Sequence, residues 1–157
     1  MFNFGDQVVY PMHGAGTIEK IETKQILGEV RDYYVLRISY GDLKVMIPVD
    51  NSQRIGVRSI VDHETLQKAM ALLGAETTAM SDNWNRRNRD NMEKLKSGDL
   101  ANVVEVIRNL MRADRVKKLS TGEKKMLSNA RQILISEIVL VEGISQEEAE
   151  KRIAEAV

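Results

Sequence analysis

The chain has no cysteine, which excludes disulfides, thiolate metal sites and a cysteine nucleophile and suits a cytoplasmic setting. It has only two histidines, His13 and His63, fifty residues apart and without a clustered His/carboxylate pattern, so no metal or other cofactor is expected. His13 sits in a turn beside Pro11 and Gly14 and His63 follows a helix cap, which suits structural or solvated roles. No apolar run approaches the roughly 18 residues of a membrane span. The opening Met1-Phe2-Asn3-Phe4-Gly5-Asp6 has neither the basic nor the apolar region of a signal peptide.

The motifs of catalysis are also missing. Gly14-Ala15-Gly16 lacks the third glycine of a dinucleotide loop, the position being Glu19 with no helix starting there. Ser81-Asp82-Asn83 resembles one element of penicillin-recognising enzymes but has no S-x-x-K or K-T-G companion, and reads as a helix cap. Glu147-Glu148 stands at a helix start, where the dipole favours negative charge, rather than in an apolar pocket that would raise a carboxyl pKa. The chain is therefore not expected to be an enzyme.

Net charge is absent too, but only on average. Residues 1–60 are balanced, 61–80 carry −2, 81–131 carry +6 and 132–157 carry −4. A basic stretch between neutral and acidic ones can attract a phosphate backbone.

The composition, 43% hydrophobic and 29% charged, is that of a soluble globular protein, and the hydrophobic period changes near residue 60. Before it, β-branched and aromatic residues predict strands at Gln7–Tyr10, Gly16–Thr23, Asp32–Ser39 and Leu43–Val49, with a short final strand near Gln53–Val57. The breaks fall at Gly14-Ala15-Gly16, Leu27-Gly28-Glu29 and Tyr40-Gly41-Asp42. Such short strands suit a small, partly closed barrel of the SH3 or Tudor kind.

After residue 60 the pattern is helical. Asp62 caps a helix to Leu73 that Gly74 ends, Ser81 or Asp82 caps a second to about Lys96, and Asp99 caps a third. The third carries a buried stripe at Leu100, Val103, Val104, Ile107, Leu110 and Met111. Ser120-Thr121-Gly122-Glu123 and Ser145-Gln146-Glu147-Glu148 match the capping box and open a fourth helix, with Met126, Leu127, Ala130, Ile133, Leu134 and Ile138 inward, and a short fifth. The expected fold is α+β: a barrel over residues 1–60, then a compact five-helix bundle over 61–157.

The single tryptophan, Trp84, lies in Asn83-Trp84-Asn85-Arg86-Arg87-Asn88-Arg89. Positions sharing its helical face are Arg87, Asn88 and Asn91, and apolar residues return only at Met92 and Leu95, so the indole is off the stripe. Two readings stay open: packing against a loop or the other domain, or an exposed ring that stacks on a base while Asn and Arg hold phosphates. Arg86, Arg87 and Arg89 fit a solvated face or a phosphate contact; Lys117-Lys118 and Lys124-Lys125 add cations near the start of the fourth helix, which favours a phosphate-tracking surface. Heptads, zinc ligands and helix-turn-helix punctuation are missing, so base-specific reading is not indicated.

Several stretches together resemble the CarD/CdnL family of bacterial RNA polymerase-binding regulators over almost the whole length. They are Phe4-Gly5-Asp6-Gln7-Val8-Val9-Tyr10-Pro11-Met12-His13-Gly14, Gly41-Asp42-Leu43 leading to Ile47-Pro48, Asn83-Trp84-Asn85-Arg86-Arg87, and Leu119-Ser120-Thr121-Gly122-Glu123-Lys124-Lys125-Met126-Leu127 with Ala130-Arg131-Gln132-Ile133-Leu134. The first is shared with the polymerase-interacting module of transcription-repair coupling factors; the tryptophan and helical motifs narrow the match. The resemblance implies an N-terminal domain docked by a sheet edge on the polymerase β subunit, and a helical domain at the upstream edge of the transcription bubble, with Trp84 as a wedge. It assigns Arg86, Arg87, Lys124 and Lys125 to DNA, with Asn83 and Arg89 beside them in the tryptophan segment as further candidates, and Lys24, Ile26 and the strand around Met46, with Lys44, to the polymerase. Where the family often has a basic residue this chain has Met46, which points to a more apolar contact with Lys44 or Lys24 carrying the charge. The implied protein is a monomeric, cytoplasmic open-complex stabiliser, associated with the nucleoid through the polymerase, whose DNA contact is largely sequence-independent. A protein-only adaptor, with the helical half as scaffold or oligomerisation surface, is the alternative.

Overall fold

A computed structural model describes all 157 residues as an antiparallel five-stranded sheet followed by helices. The strands are β1 (Gln7–Tyr10), β2 (Gly14–Ile26), β3 (Glu29–Ile38), β4 (Lys44–Pro48) and β5 (Arg58–Ser59), in the spatial order β4-β3-β2-β1-β5. The helices are α1 (Ser52–Ile55), α2 (His63–Ala71), α3 (Trp84–Lys96), α4 (Leu100–Val116), α5 (Thr121–Glu142) and α6 (Gln146–Ala156).

The N-terminal half departs from expectation in its closure and last strand, in the length of β2 and β3, and at Gly14-Ala15-Gly16. The sheet does not close, because β4 and β5 form its two ends and no ladder joins them. A strand had been expected near Gln53–Val57, but a 3-10 turn at Val49–Asn51 runs into the single-turn α1, and β5 keeps only two residues. The chain therefore has six helices, α1 inside the first half and α2 to α6 after it.

The second departure is the length of β2 and β3. Leu27 and Gly28 both take positive φ, 51° and 81°, as a two-residue type I′ turn requires, and Ile26 pairs directly with Glu29. The break is one residue shorter than the sequence suggested, and the strands run on to meet it. Because β4 reaches only to Tyr33, the segment from Thr23 to Asp32 projects as a two-stranded finger.

Third, Gly14-Ala15-Gly16 is not a break but the first stretch of β2, paired with β1. Its glycines serve close approach. A Cβ on Gly16 would lie 2.2 Å from the Arg37 carbonyl oxygen, and one on Gly14, at φ 116°, would lie 2.8 Å from Ser136 Oγ. Glu19 sits at an irregularity in the register between Ile18 and Lys20, and its carboxylate takes Arg37 of β3 and Lys44 of β4.

Two cores result. Val8, Ile18, Tyr34, Leu36, Ile38, Ile47 and Val57 form the small one under the sheet, with Phe2 edge-on to Tyr34 at 5.9 Å. The larger unites the helices around Leu66, Leu73, Leu95, Val104, Ile107, Leu110, Leu134 and Ile138. Asp62, Asp99, Ser120 and Ser145 cap their helices by accepting backbone N–H bonds, as their side chains and positions dictate. Only α3 differs: Asn83, not Ser81 or Asp82, is its cap, accepting from Arg86 N–H at 3.0 Å.

Candidate nucleic-acid interface

The capping by Asn83 places Trp84 as the first residue of α3, aimed at the head of α5. Its Nε1–H points to Ser120 Oγ at 3.4 Å, a weak hydrogen bond, and the ring edge lies over Gly122, where a Cβ would touch it at 3.7 Å. The ring is 46% exposed, so it is seated but not sealed. A depression of about 650 Å³ beside it is lined by Asn88, Met92, Gly122, Lys125 and Asn129. Gly122 thus gives the indole a flat seat at the helix start, with polar donors around its free face.

The arginines next to it divide by function. Arg86 and Arg89 are exposed, and their guanidinium groups have no hydrogen-bond or ion-pair partner; the same holds for the Lys124 and Lys125 ammonium groups on α5. Arg87 is different. Its Nε and Nη2 donate to the two carboxylate oxygens of Glu123 at 3.0 and 3.2 Å, and its Nη1 donates to the Ser81 carbonyl at 3.1 Å. The Glu123 hydrogen bond holds the Arg87 pKa above the usual arginine value, against a smaller opposing effect of burial. Arg87 is thereby a strut between α3 and α5 rather than a free cation.

This pair also alters the expected capping box. Ser120 Oγ accepts from Glu123 N–H at 3.2 Å, but the Glu123 carboxylate turns to Arg87 and the Ser120 hydroxyl. The helix start, the indole's seat and the root of α3 are consequently fastened to one another through Glu123.

The basic excess of residues 81–131 is likewise partly internal. Arg108 donates to the Leu72 carbonyl, Thr78 Oγ1 and Asn109, and Arg112 donates to the Leu73 and Ala75 carbonyls and Thr77, so both clamp the loop before α3. Lys94 pairs with Glu105, whose pKa is lowered chiefly by the Thr78 hydroxyl and then by Lys94. Of the side chains assigned to DNA, Trp84, Arg86, Arg89, Lys124 and Lys125 remain available, Asn83 is half-used as a cap, and Arg87 is committed.

The residues assigned to the polymerase lie on the sheet's far side. Lys24 and Ile26 are exposed on the projecting finger, where Leu27 and Val30 are also 99% and 68% exposed. Lys44 and Met46 lie on β4, the edge strand; Lys44 is exposed but held by Glu19 at 3.2 Å, and Met46, opposite Val35, is half-buried. The outward backbone groups of β4 have no neighbouring strand, and Pro48, which lacks an N–H, ends it.

Between these regions lies a joint that no sequence motif announced. Glu137 of α5 is fully buried and takes Arg58 of β5 in a bidentate pair, 2.9 Å on each oxygen, plus the Val61 N–H at 3.0 Å. Arg58 also donates to the Gly98 carbonyl at 2.9 Å. One residue away, Ser136 Oγ accepts from Ala15 N–H at 2.8 Å, and the Ser136 carbonyl accepts from Ser39 at 2.6 Å. The signal that could have revealed it was Glu137 itself, a charge inside Ile133-Leu134-Ile135-Ser136-Glu137-Ile138 that must have a buried partner.

No group of three metal-ligating side chains is present, and no helix is long and apolar enough to cross a membrane. Residues 2–61 match the family described as the CarD-like/TRCF RID domain, and residues 68–154 match that described as CarD, C-terminal domain. The chain is also 40% identical over 148 residues to a Bacillus subtilis (strain 168) protein named "Putative transcription factor YdeB", covering 94% of this chain and 97% of that one. With both of its halves matched and a relative aligned nearly end to end, the chain belongs to the CarD/CdnL family of transcription regulators.

Proposed function

We propose that the chain holds RNA polymerase and promoter DNA at once and stabilises the open complex. In this reading residues 1–60 grip the polymerase β subunit through the β4 edge and the finger that carries Lys24 and Ile26. Residues 61–157 present Trp84 to the upstream edge of the melted DNA. The protein acts as a monomer in the cytoplasm, on the nucleoid with the polymerase.

The observation that carries this reading is the half-exposed indole at the head of α5, in one hollow with Lys125, with Arg86 and Arg89 of α3 and Lys124 of α5 also exposed and unpaired. An aromatic face supplies stacking of roughly 1–3 kcal/mol per base, and the cations supply phosphate contacts without reading sequence. A ring beside an already distorted base step opposes re-annealing, and ~1.4 kcal/mol corresponds to a factor of ten in that equilibrium. So few cations give weak affinity for DNA alone; attachment to the polymerase supplies the local concentration.

The test is open-complex lifetime on a linear promoter fragment, with competitor added, for wild type and Trp84→Ala. Stacking of this size predicts a roughly five- to hundred-fold shorter lifetime for the variant, with binding to purified β fragments unchanged. Equal lifetimes would remove the wedge. Binding to a forked promoter fragment that shows no salt slope, with or without polymerase, would instead favour the protein-only adaptor.

A further inference from the structure

We infer a second phosphate-binding subsite, formed by Arg131, Lys124 and Tyr40 beside the joint between sheet and helices, which takes the nucleic-acid backbone after it passes Trp84. This inference rests on the proposed DNA contact and extends it across α5.

The first support is an arginine without an acceptor. Arg131 is half-buried, its Nε is fully shielded from solvent, and it has neither a hydrogen-bond nor an ion-pair partner. Buried polar groups are normally paired because an unmade hydrogen bond leaves the desolvation cost uncompensated. The other shielded arginines obey that rule: Arg58, Arg87, Arg108 and Arg112 each donate to two or more oxygens. Arg131 is the exception: its shielded Nε meets nothing, its two terminal nitrogens also lack partners, and the residue lines an open cleft where that end of a guanidinium can take a phosphate bidentately.

The second support is placement. Arg131 lines a cleft of about 350 Å³ with Tyr40 from the connection between β3 and β4, Lys124, Ser128 and Gln132 from α5, and Glu150 from α6. Lys124, Ser128 and Arg131 follow i, i+4, i+7 spacing and so lie along one flank of α5. Lys125, Asn129 and Gln132 line the neighbouring flank, in the depression that holds Trp84. The two hollows share Ser128 and Gln132, so they form one track over the exposed crest of α5. Glu150 is the single carboxylate in its lining and makes no ion pair with either cation.

Continuity is what selects a nucleic-acid strand over a free anion. A lone phosphate needs one pocket, whereas this track places cations on both sides of a helix crest and joins them to an aromatic face. A strand running along it is directed from the indole toward Tyr40 and the sheet.

The test is a salt titration of full-length protein with a fluorescent forked promoter fragment, comparing wild type with Arg131→Gln, Lys124→Gln, Lys125→Gln and Trp84→Ala, with thermal melts to verify folding. Each lost phosphate contact lowers the slope of log K against log salt by roughly 0.7–0.9. Arg131→Gln and Lys124→Gln are each expected to show that loss. Should Arg131→Gln fail to fold, Glu150→Lys decides: it adds a cation to the second hollow alone, so a steeper salt slope is expected and a wild-type slope would overturn the subsite. Wild-type slopes in the folded variants, with Lys125→Gln and Trp84→Ala still weakening binding, would overturn the second subsite alone. If all four variants bind as wild type does, the DNA reading falls and takes this subsite with it.

Discussion

Two polar clusters along α5, one of them shared with α3, have opposite fates. Around the buried Ser136 and Glu137 every polar group is answered: a carboxylate by a guanidinium and an amide, a hydroxyl by an amide, a carbonyl by a serine. Where α3 meets the head of α5, the indole is half-bare beside Lys125, and Arg86, Arg89, Lys124 and Lys125 stand in water and are answered by nothing in the chain. The first cluster is built like the interior of a protein and holds two halves together. The second has the look of an interface whose other side is another molecule. The comparison teaches that net charge along a sequence says little until each charge is asked whether its partner is already present.

The sharpest way to break this contrast is Arg58→Met. It leaves Glu137 buried without its counter-ion, and removing one partner of a buried pair costs several kcal/mol, here ~3 because Arg58 keeps some contact with water. Urea unfolding should show that loss, and Arg58→Met combined with Glu137→Leu should recover much of it; full stability of the single variant would mean that the joint is ornamental.

Ser136→Ala comes next. It strands the Ala15 N–H in a site with no water access, and the expected loss is ~1–2 kcal/mol by the same measurement. A neutral result would show that β2 and α5 rest on packing alone.

Trp84→Ala sharpens the other side of the comparison. Nearly half of the ring faces solvent and its only hydrogen bond is long, so unfolding stability should fall by no more than ~1 kcal/mol. A loss of several kcal/mol would class the indole with the core, and its exposure would no longer argue for a partner.

Local features of this fold were legible because their causes are local. Asp62, Asp99, Ser120 and Ser145 are caps by chemistry and position, and the stripe from Leu100 to Leu110 is set by helical period. The off-stripe position of Trp84 follows from its own neighbours in the same way. What stayed hidden depends on residues far apart in the chain. Gly14 and Gly16 read as turn glycines, yet their partners are Ser136 and Arg37, which only the fold brings near. Arg87 was indistinguishable from Arg86 and Arg89 until Glu123, 36 residues on, was seen to face it. Arg58 and Glu137, separated by 79 residues, carry no shared local pattern at all.

The single helix α5 runs from the seat of the indole to the buried joint, and this turns its length into a ruler. From Glu123 to Ser136 the axis advances by about 20 Å at ~1.5 Å per residue, with each residue turning it by about 100°. One residue added between them would swing whatever is seated at the helix head about a quarter-turn around the axis, out of register with the sheet. Three or four would nearly restore the azimuth while displacing the seat by about 5 Å. The phase of one helix therefore sets where the indole stands relative to the open β4 edge, and evolution can retune that reach only in whole turns.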